Sequence, residues 1–164
     1  ADFSGFKLDK ADKLIVNADH TNSELGDVTH VNYNNDHGKI SIEKAATVTG
    51  LGDHISHSLG TVSEEVNINT DHGSITIERL EASCKKVMLR AGYASVKLGL
   101  APNYSFDFVF NLSYTALKGE GLLNTTKKNE SHSSKIMEGS YGKKGSGNSM
   151  NVNLNYGSLK LTNL

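Results

Sequence analysis

The sequence predicts an all-β protein, a single-stranded β-solenoid (β-helix) of about eight coils, and three observations carry that expectation. An aromatic or imidazole residue returns in one local setting, at Phe3, His20, His37, His54, His72, Tyr93, Tyr114, Tyr141 and Tyr156, and its first four intervals are 17, 17, 17 and 18 residues. A fixed period of that length marks units that bury their apolar faces only by stacking on one another. Apolar residues alternate with polar ones almost throughout, with no helical period. Sixteen Gly, one Pro and no Trp suit a turn-rich β chain. The spacing leaves the hand of the coil open.

With the recurring ring as position zero, apolar residues fall into columns. Three residues on stand Phe6, Ile40, Ile75, Val96, Leu117 and Leu159, with polar exceptions at Ser23, His57 and Lys144. Five on come Leu8, Leu25, Ile42, Leu59, Ile77, Leu98 and Leu161; eight on, Ala11, Val28, Ala45, Val62, Leu80, Ala101, Leu122 and Leu164. Six before zero lie Leu14, Val31, Val48, Val66, Val87, Phe108 and Met150, and four before it Val16, Tyr33, Ile68, Leu89, Phe110, Met137 and Val152. A step of two keeps a strand on one face and a step of three re-aims it, so the pattern predicts three corners per coil. The residue after zero is Gly38, Gly73, Gly142 or Gly157, or else a small side chain, as a tight corner requires.

The later units are irregular. The interval opens to 21 residues for Tyr93 and Tyr114 and 27 for Tyr141, then closes to 15 for Tyr156. One domain spanning 1–164 is expected, with a loop or hairpin excursion around 118–149, where the polar run Asn124 to Ser134 reads as solvated. The alternation Tyr104-x-Phe106-x-Phe108-x-Phe110-x-Leu112-x-Tyr114 is the strongest single strand and is expected to close the core near one end.

Lys plus Arg is 17 and Asp plus Glu 18, a balance that points to no nucleic-acid partner. No apolar run is long enough to span a bilayer, so no membrane span is expected. A start at Ala1 without Met is what a mature or trimmed product shows. Cys84 is the one cysteine, which excludes an internal disulfide.

The run Asn69-Thr70-Asp71-His72-Gly73-Ser74-Ile75-Thr76-Ile77 resembles the adhesin β-solenoid family of bacterial cell-envelope proteins, whose repeats read Asp-Tyr-Gly-x-apolar-x-apolar. So do Leu112-Ser113-Tyr114, the Tyr141 to Gly147 segment and Asn155-Tyr156-Gly157-Ser158-Leu159-Lys160-Leu161. The resemblance implies export, with a cell-surface, outer-membrane-associated or periplasmic location, and supplies no catalytic residues. His in place of Tyr over four consecutive repeats departs from that pattern.

Those histidines, His20, His37, His54 and His72, are the sharpest candidate site, since imidazoles stacked in register would let neighbours share a zinc-like metal ion. The plainer account, preferred because Phe and Tyr fill the same column elsewhere, is a stacked corner residue. Four charged imidazoles in a row would repel, so stability is expected to fall from about pH 7 to 5. Asp2, Asp19, Asp36, Asp53 and Asp71 precede the rings and would chelate calcium along an edge or, as preferred, accept hydrogen bonds at the corners.

Catalysis finds little support. Gly142-Lys143-Lys144-Gly145-Ser146-Gly147 lacks the order of a phosphate loop, and Cys84 reads as a small packed side chain. The expected function is therefore a non-enzymatic, exported scaffold for adhesion or envelope assembly. It needs no cofactor and would meet an unknown surface ligand, glycan or protein. The alternatives are a polysaccharide-binding or polysaccharide-cleaving β-helix and a His-column metal-binding surface protein. Neither end shows a helical or charged cap, which leaves homo-oligomer formation by edge or face packing open.

Overall fold

The computed structural model describes residues 5–164, so Asp2, Phe3 and Ser4 of the predicted columns lie outside the described residues. The described chain is all-β with no α-helix. Its elements are β1 (Gly5–Leu80), β2 (Lys86–Leu100), β3 (Phe106–Lys118), β4 (Asn124–Glu130), β5 (Ser134–Tyr141) and β6 (Ser149–Asn163), with one 3-10 turn at Glu120–Leu122.

The 76 extended residues of β1 would reach roughly 250 Å if straight, at about 3.3 Å per residue. Instead β1 turns on itself. Positive φ at His20, His37, His54 and His72 re-aims the chain at each ring, and segments 17 residues apart then meet closely. A Cβ added to Gly60 would overlap the Glu43 carbonyl, and one on Gly26 the Asp9 carbonyl. The next unit, β2, continues in parallel beside β1, with Val66 opposite Val87 and Ile75 opposite Val96.

The predicted apolar columns form the core. Val31, Val48, Val66, Val87, Phe108 and Met150 are buried, as are Ile40, Ile75, Val96 and Leu159, and Leu25, Ile42, Leu59, Ile77, Leu98 and Leu161. Each such side chain contributes about 1.5–3 kcal/mol when fully buried. Every unit draws that burial from its neighbours. Two columns beside the ring are also buried and do not show in the apolar pattern, because small or polar residues fill them: Thr21 and Ala94 just after the ring, Asn35 and Thr70 two before it. Leu164, placed in a core column by its spacing, is 54% exposed at the chain end.

The strand order, β1-β2-β6-β3-β5-β4, is that of a mixed sheet, not of eight coils stacked in chain order. β6 inserts between β2 and β3, parallel to both. The outer side of β3 is taken by β5, which runs antiparallel along Phe106–Ser113. β6 therefore fits the inner gap, where Met150, Val152, Leu154 and Leu159 meet apolar residues on both sides. Tyr141 accordingly leaves the ring column. It sits on antiparallel β5 and stacks on Phe106, with ring centroids 5.2 Å apart.

The far end is capped, contrary to the sequence expectation. Among the described residues β4 pairs only with β5, and its exposed Lys127, Lys128 and Glu130 give a charged edge of the kind that discourages further strand pairing. Lys128 and Glu130 of that edge join Glu120 and Lys135 in an ion-pair network with N–O distances of 2.7 to 3.5 Å. Hydrogen bonding from Lys128 holds the Glu120 carboxyl below its usual range.

Candidate functional site

Position zero builds a continuous ladder. His20, His37, His54, His72, Tyr93, Tyr156 and Tyr114 stack in that order, with centroids 4.7 to 5.0 Å apart and interplanar angles of 1 to 4°. Six steps at strand spacing make it roughly 30 Å long. All seven rings sit on left-handed backbone, with φ from 47 to 57°. That conformation costs a non-glycine residue about 1 kcal/mol. A stacked ring contact returns about 0.5–1.5 kcal/mol, so the ladder offsets the strain of its own corners. Local hydrogen bonds hold the turn, Thr21 Oγ1 donating to the Asp19 carbonyl (2.9 Å) and Thr115 Oγ1 to that of Ser113 (2.8 Å).

The ladder is a surface feature, with Tyr93 56%, Tyr114 58% and Tyr156 42% exposed. Neighbours cover the ring faces, so the column presents edges: imidazole nitrogens along one half, phenol hydroxyls along the other. A platform for sugar or base stacking needs open faces, which the interior of the stack does not offer.

The structure thus brings His20, His37, His54 and His72 together, with their aspartates beside them. Asp19 lies 3.1 Å from His20 Nδ1 and Asp71 3.8 Å from His72 Nδ1. Asp36 Oδ1 accepts a hydrogen bond from the Asp53 amide at 3.0 Å. Ligand atoms of Asp19, His20 and His37 all lie within 4.8 Å of one another. Imidazole lone pairs lie in the ring plane, however, so two parallel rings 4.7 Å apart aim them side by side rather than at one point. A metal bonded about 2.0–2.1 Å from each nitrogen would need at least one ring to turn out of the stack.

No protein-family model matches the chain, and comparison with curated proteins and with solved structures gives no match.

Sequence reasoning passed over one buried polar pair. Tyr33 and His57 occupy apolar columns, and both are fully buried. The Tyr33 hydroxyl hydrogen-bonds His57 Nδ1 across 24 residues. Tyr33 reaches its partner over Gly50, where a Cβ would overlap the phenol ring. Burial pushes the His57 pKa down to about 4 and that of Tyr33 well above its usual value. The signal was present: Tyr33, then Gly50 in the same column one unit later, then His57 where Ile40 and Ile75 stand in the neighbouring units.

The remaining chemistry is spread out. Cys84 is buried, and burial foremost pushes its thiol up to about 11, so it is protonated and inert at neutral pH. The Gly142–Gly147 segment is a turn tied to the start of β3. The Lys143 amide donates to Ser105 Oγ (2.9 Å), the Gly145 amide to Asp107 Oδ1 (3.2 Å) and Ser146 Oγ to the Ser105 carbonyl (3.0 Å). No helix long and apolar enough to cross a membrane occurs among the described residues.

Proposed function

We propose that this protein is a non-enzymatic interaction scaffold, a β-solenoid of repeating 17–21-residue units. We place it at the exported face of a bacterial cell envelope, where it presents regular outward rows to a surface glycan or protein. The coil reading is supported by parallel in-register pairing of β1 with β2 and by close approaches between residues 17 apart within β1. The observation that carries the functional reading is the arrangement of exposed polar groups. They lie in rows at strand spacing on the apolar core, the ring ladder foremost, and among the described residues they do not converge in a cleft with an acid–base pair or nucleophile. Repetition at strand spacing suits a repetitive ligand.

The test is binding of immobilised protein to an array of envelope glycans and polymers, with reducing-end release measured in parallel. Saturable binding without release is expected. Release of new reducing ends would overturn the scaffold reading in favour of a polysaccharide-cleaving β-helix.

A second reading, a metal site at Asp19, His20 and His37, is favoured by their proximity. Zinc binding only to the folded state at 100 times its Kd would add about 2.7 kcal/mol of stability. A thermal melt with excess zinc decides it: an unchanged Tm is expected from the stacked geometry, and a rise of several degrees would install the metal reading.

A further inference from the structure

The insertion of β6 creates a feature that chain order hides. Lys97 of β2 pairs with Lys160 of β6, and Lys160 pairs with Lys118 of β3. Paired residues of parallel strands project from the same face, so three exposed ammonium groups stand in one row at strand spacing. None of the three forms an ion pair among the described residues. Like charges directly opposite destabilise a sheet, and nothing in the fold requires lysine there: the same row continues into β1 as Thr76, opposite Lys97. Beside the row Ser74, Ser95 and Ser158 stand in register, with Ser95 Oγ 3.3 Å from Ser158 Oγ. On its other side Gly99 lacks a side chain opposite Thr162. A shallow surface groove of about 180 Å³ runs there, where Thr76, Glu78, Lys97, Lys160 and Thr162 border a largely apolar floor that includes Leu164.

We propose that the row Lys97–Lys160–Lys118 is a binding site for a linear uronate polysaccharide, one carboxylate to each lysine; the proposal rests on the scaffold reading above and names its ligand class. Successive uronate carboxylates are about one strand spacing apart along the chain, roughly 4.8 Å, and leave it on alternating sides, so the flexible four-carbon lysine stems reach them from both sides of the chain. The flanking hydroxyl groups suit sugar hydroxyls, and the open groove at Gly99 admits a ring edge. Neutralising three adjacent ammonium groups removes their mutual repulsion, so an anionic polymer gains where a neutral one does not. A single-stranded nucleic acid fits less well, because such binding relies on stacking platforms, and in this protein ring faces within the ladder are covered. Glu78, exposed at the β1 end of the groove, opposes the ligand and sets the limit of the site.

Calorimetry with oligogalacturonate of increasing length, at low and high salt, tests this on the intact protein. Affinity is expected to rise up to three sugar units and to fall with salt. The Lys97→Gln/Lys118→Gln/Lys160→Gln variant is expected to lose about tenfold or more in affinity while keeping or raising its Tm, which shows that it folds. Glu78→Gln is expected to bind more tightly. Equal binding of a neutral glucan by the wild type, tighter binding of single-stranded DNA of matched length, or unchanged affinity in the triple variant would each overturn the proposal. Absence of oligogalacturonate binding would also overturn it. If the array described above still gives a non-hydrolysed envelope ligand, the scaffold reading survives that loss.

Discussion

Tyr93 stacks on Tyr156, 63 residues away in sequence, with ring centroids 5.0 Å apart and planes within 4°. The next ring in sequence, Tyr114, lies on the far side of Tyr156, at 4.7 Å. The C-terminal strand is therefore an interior strand of the sheet, with parallel neighbours on both sides. The lysine row depends on this order, because without β6 in place Lys97 and Lys118 would have no third partner between them.

Stability is expected to fall in acid because of His57. Its pKa of about 4 when folded lies below the ordinary 6.5, so the neutral form is the one that folds. The contribution is complete above about pH 6.5 and is lost as pH falls towards 4, where the unfolded chain takes up a proton that the buried ring refuses. The loss amounts to about 3 kcal/mol, or a Tm decrease of roughly 6–12 °C for a chain of this size. The check is a comparison of wild type with His57→Gln, melted at pH 7 and pH 4. Equal decreases in the two proteins would remove His57 as the cause.

Gly50 and Tyr33 are expected to be coupled. Gly50→Ala alone forces a methyl group into the phenol ring and should cost about 1–3 kcal/mol, the usual penalty of overpacking. Tyr33→Leu alone opens a void and leaves His57 without its partner. In the double variant the clash is absent, so the combined loss should be smaller than the sum of the single losses by 0.5 kcal/mol or more. Additive losses, measured by denaturant melts, would place the two residues out of contact.

Left-handed backbone at the rings predicts an unusual substitution order. His37 has φ of 57°, a conformation that glycine and asparagine tolerate and that penalises β-branched residues most. His37→Val should destabilise by about 1–2 kcal/mol more than His37→Asn, read as a difference in Tm. The reverse order would mean that the corner is ordinary extended chain.

Much of the architecture was legible in the sequence, for a physical reason. A column occupied by Ile40, Ile75, Val96 and Leu159 repeats because every unit needs the same inward face, so the period and the core could be read directly. The position of β6 could not. Periodicity records what each unit buries and not which unit it lies beside, and Met150 to Leu161 would match any neighbour with the same columns. Tyr141 matched the ring motif but lacked the apolar pair that follows it, having Lys144 and Ser146 there; that missing pair was the sign that its segment belongs to the antiparallel cap. The Tyr33–His57 contact was hidden because Tyr33 read as an ordinary member of its apolar column and His57 as a lone polar exception, until Gly50 explained how one reaches the other. Of the candidate site, the histidine column was visible from the 17-residue spacing, whereas the lysine row needed the strand order.

The most direct test of the account is paired-cysteine crosslinking at the β2–β6 junction. Ser95 is opposite Ser158, and residues on adjacent strands, about 4.8 Å apart, fall within the Cα separations that a disulfide bridges. Ala116 is opposite Ser158 on the other side, two strand spacings from Ser95 and beyond disulfide reach. Under mild oxidation the Ser95→Cys/Ser158→Cys protein should form an intramolecular disulfide, and the Ser95→Cys/Ala116→Cys protein should not. A disulfide between positions 95 and 116, with none between 95 and 158, would restore chain order, remove Lys160 from between its neighbours and contradict the account.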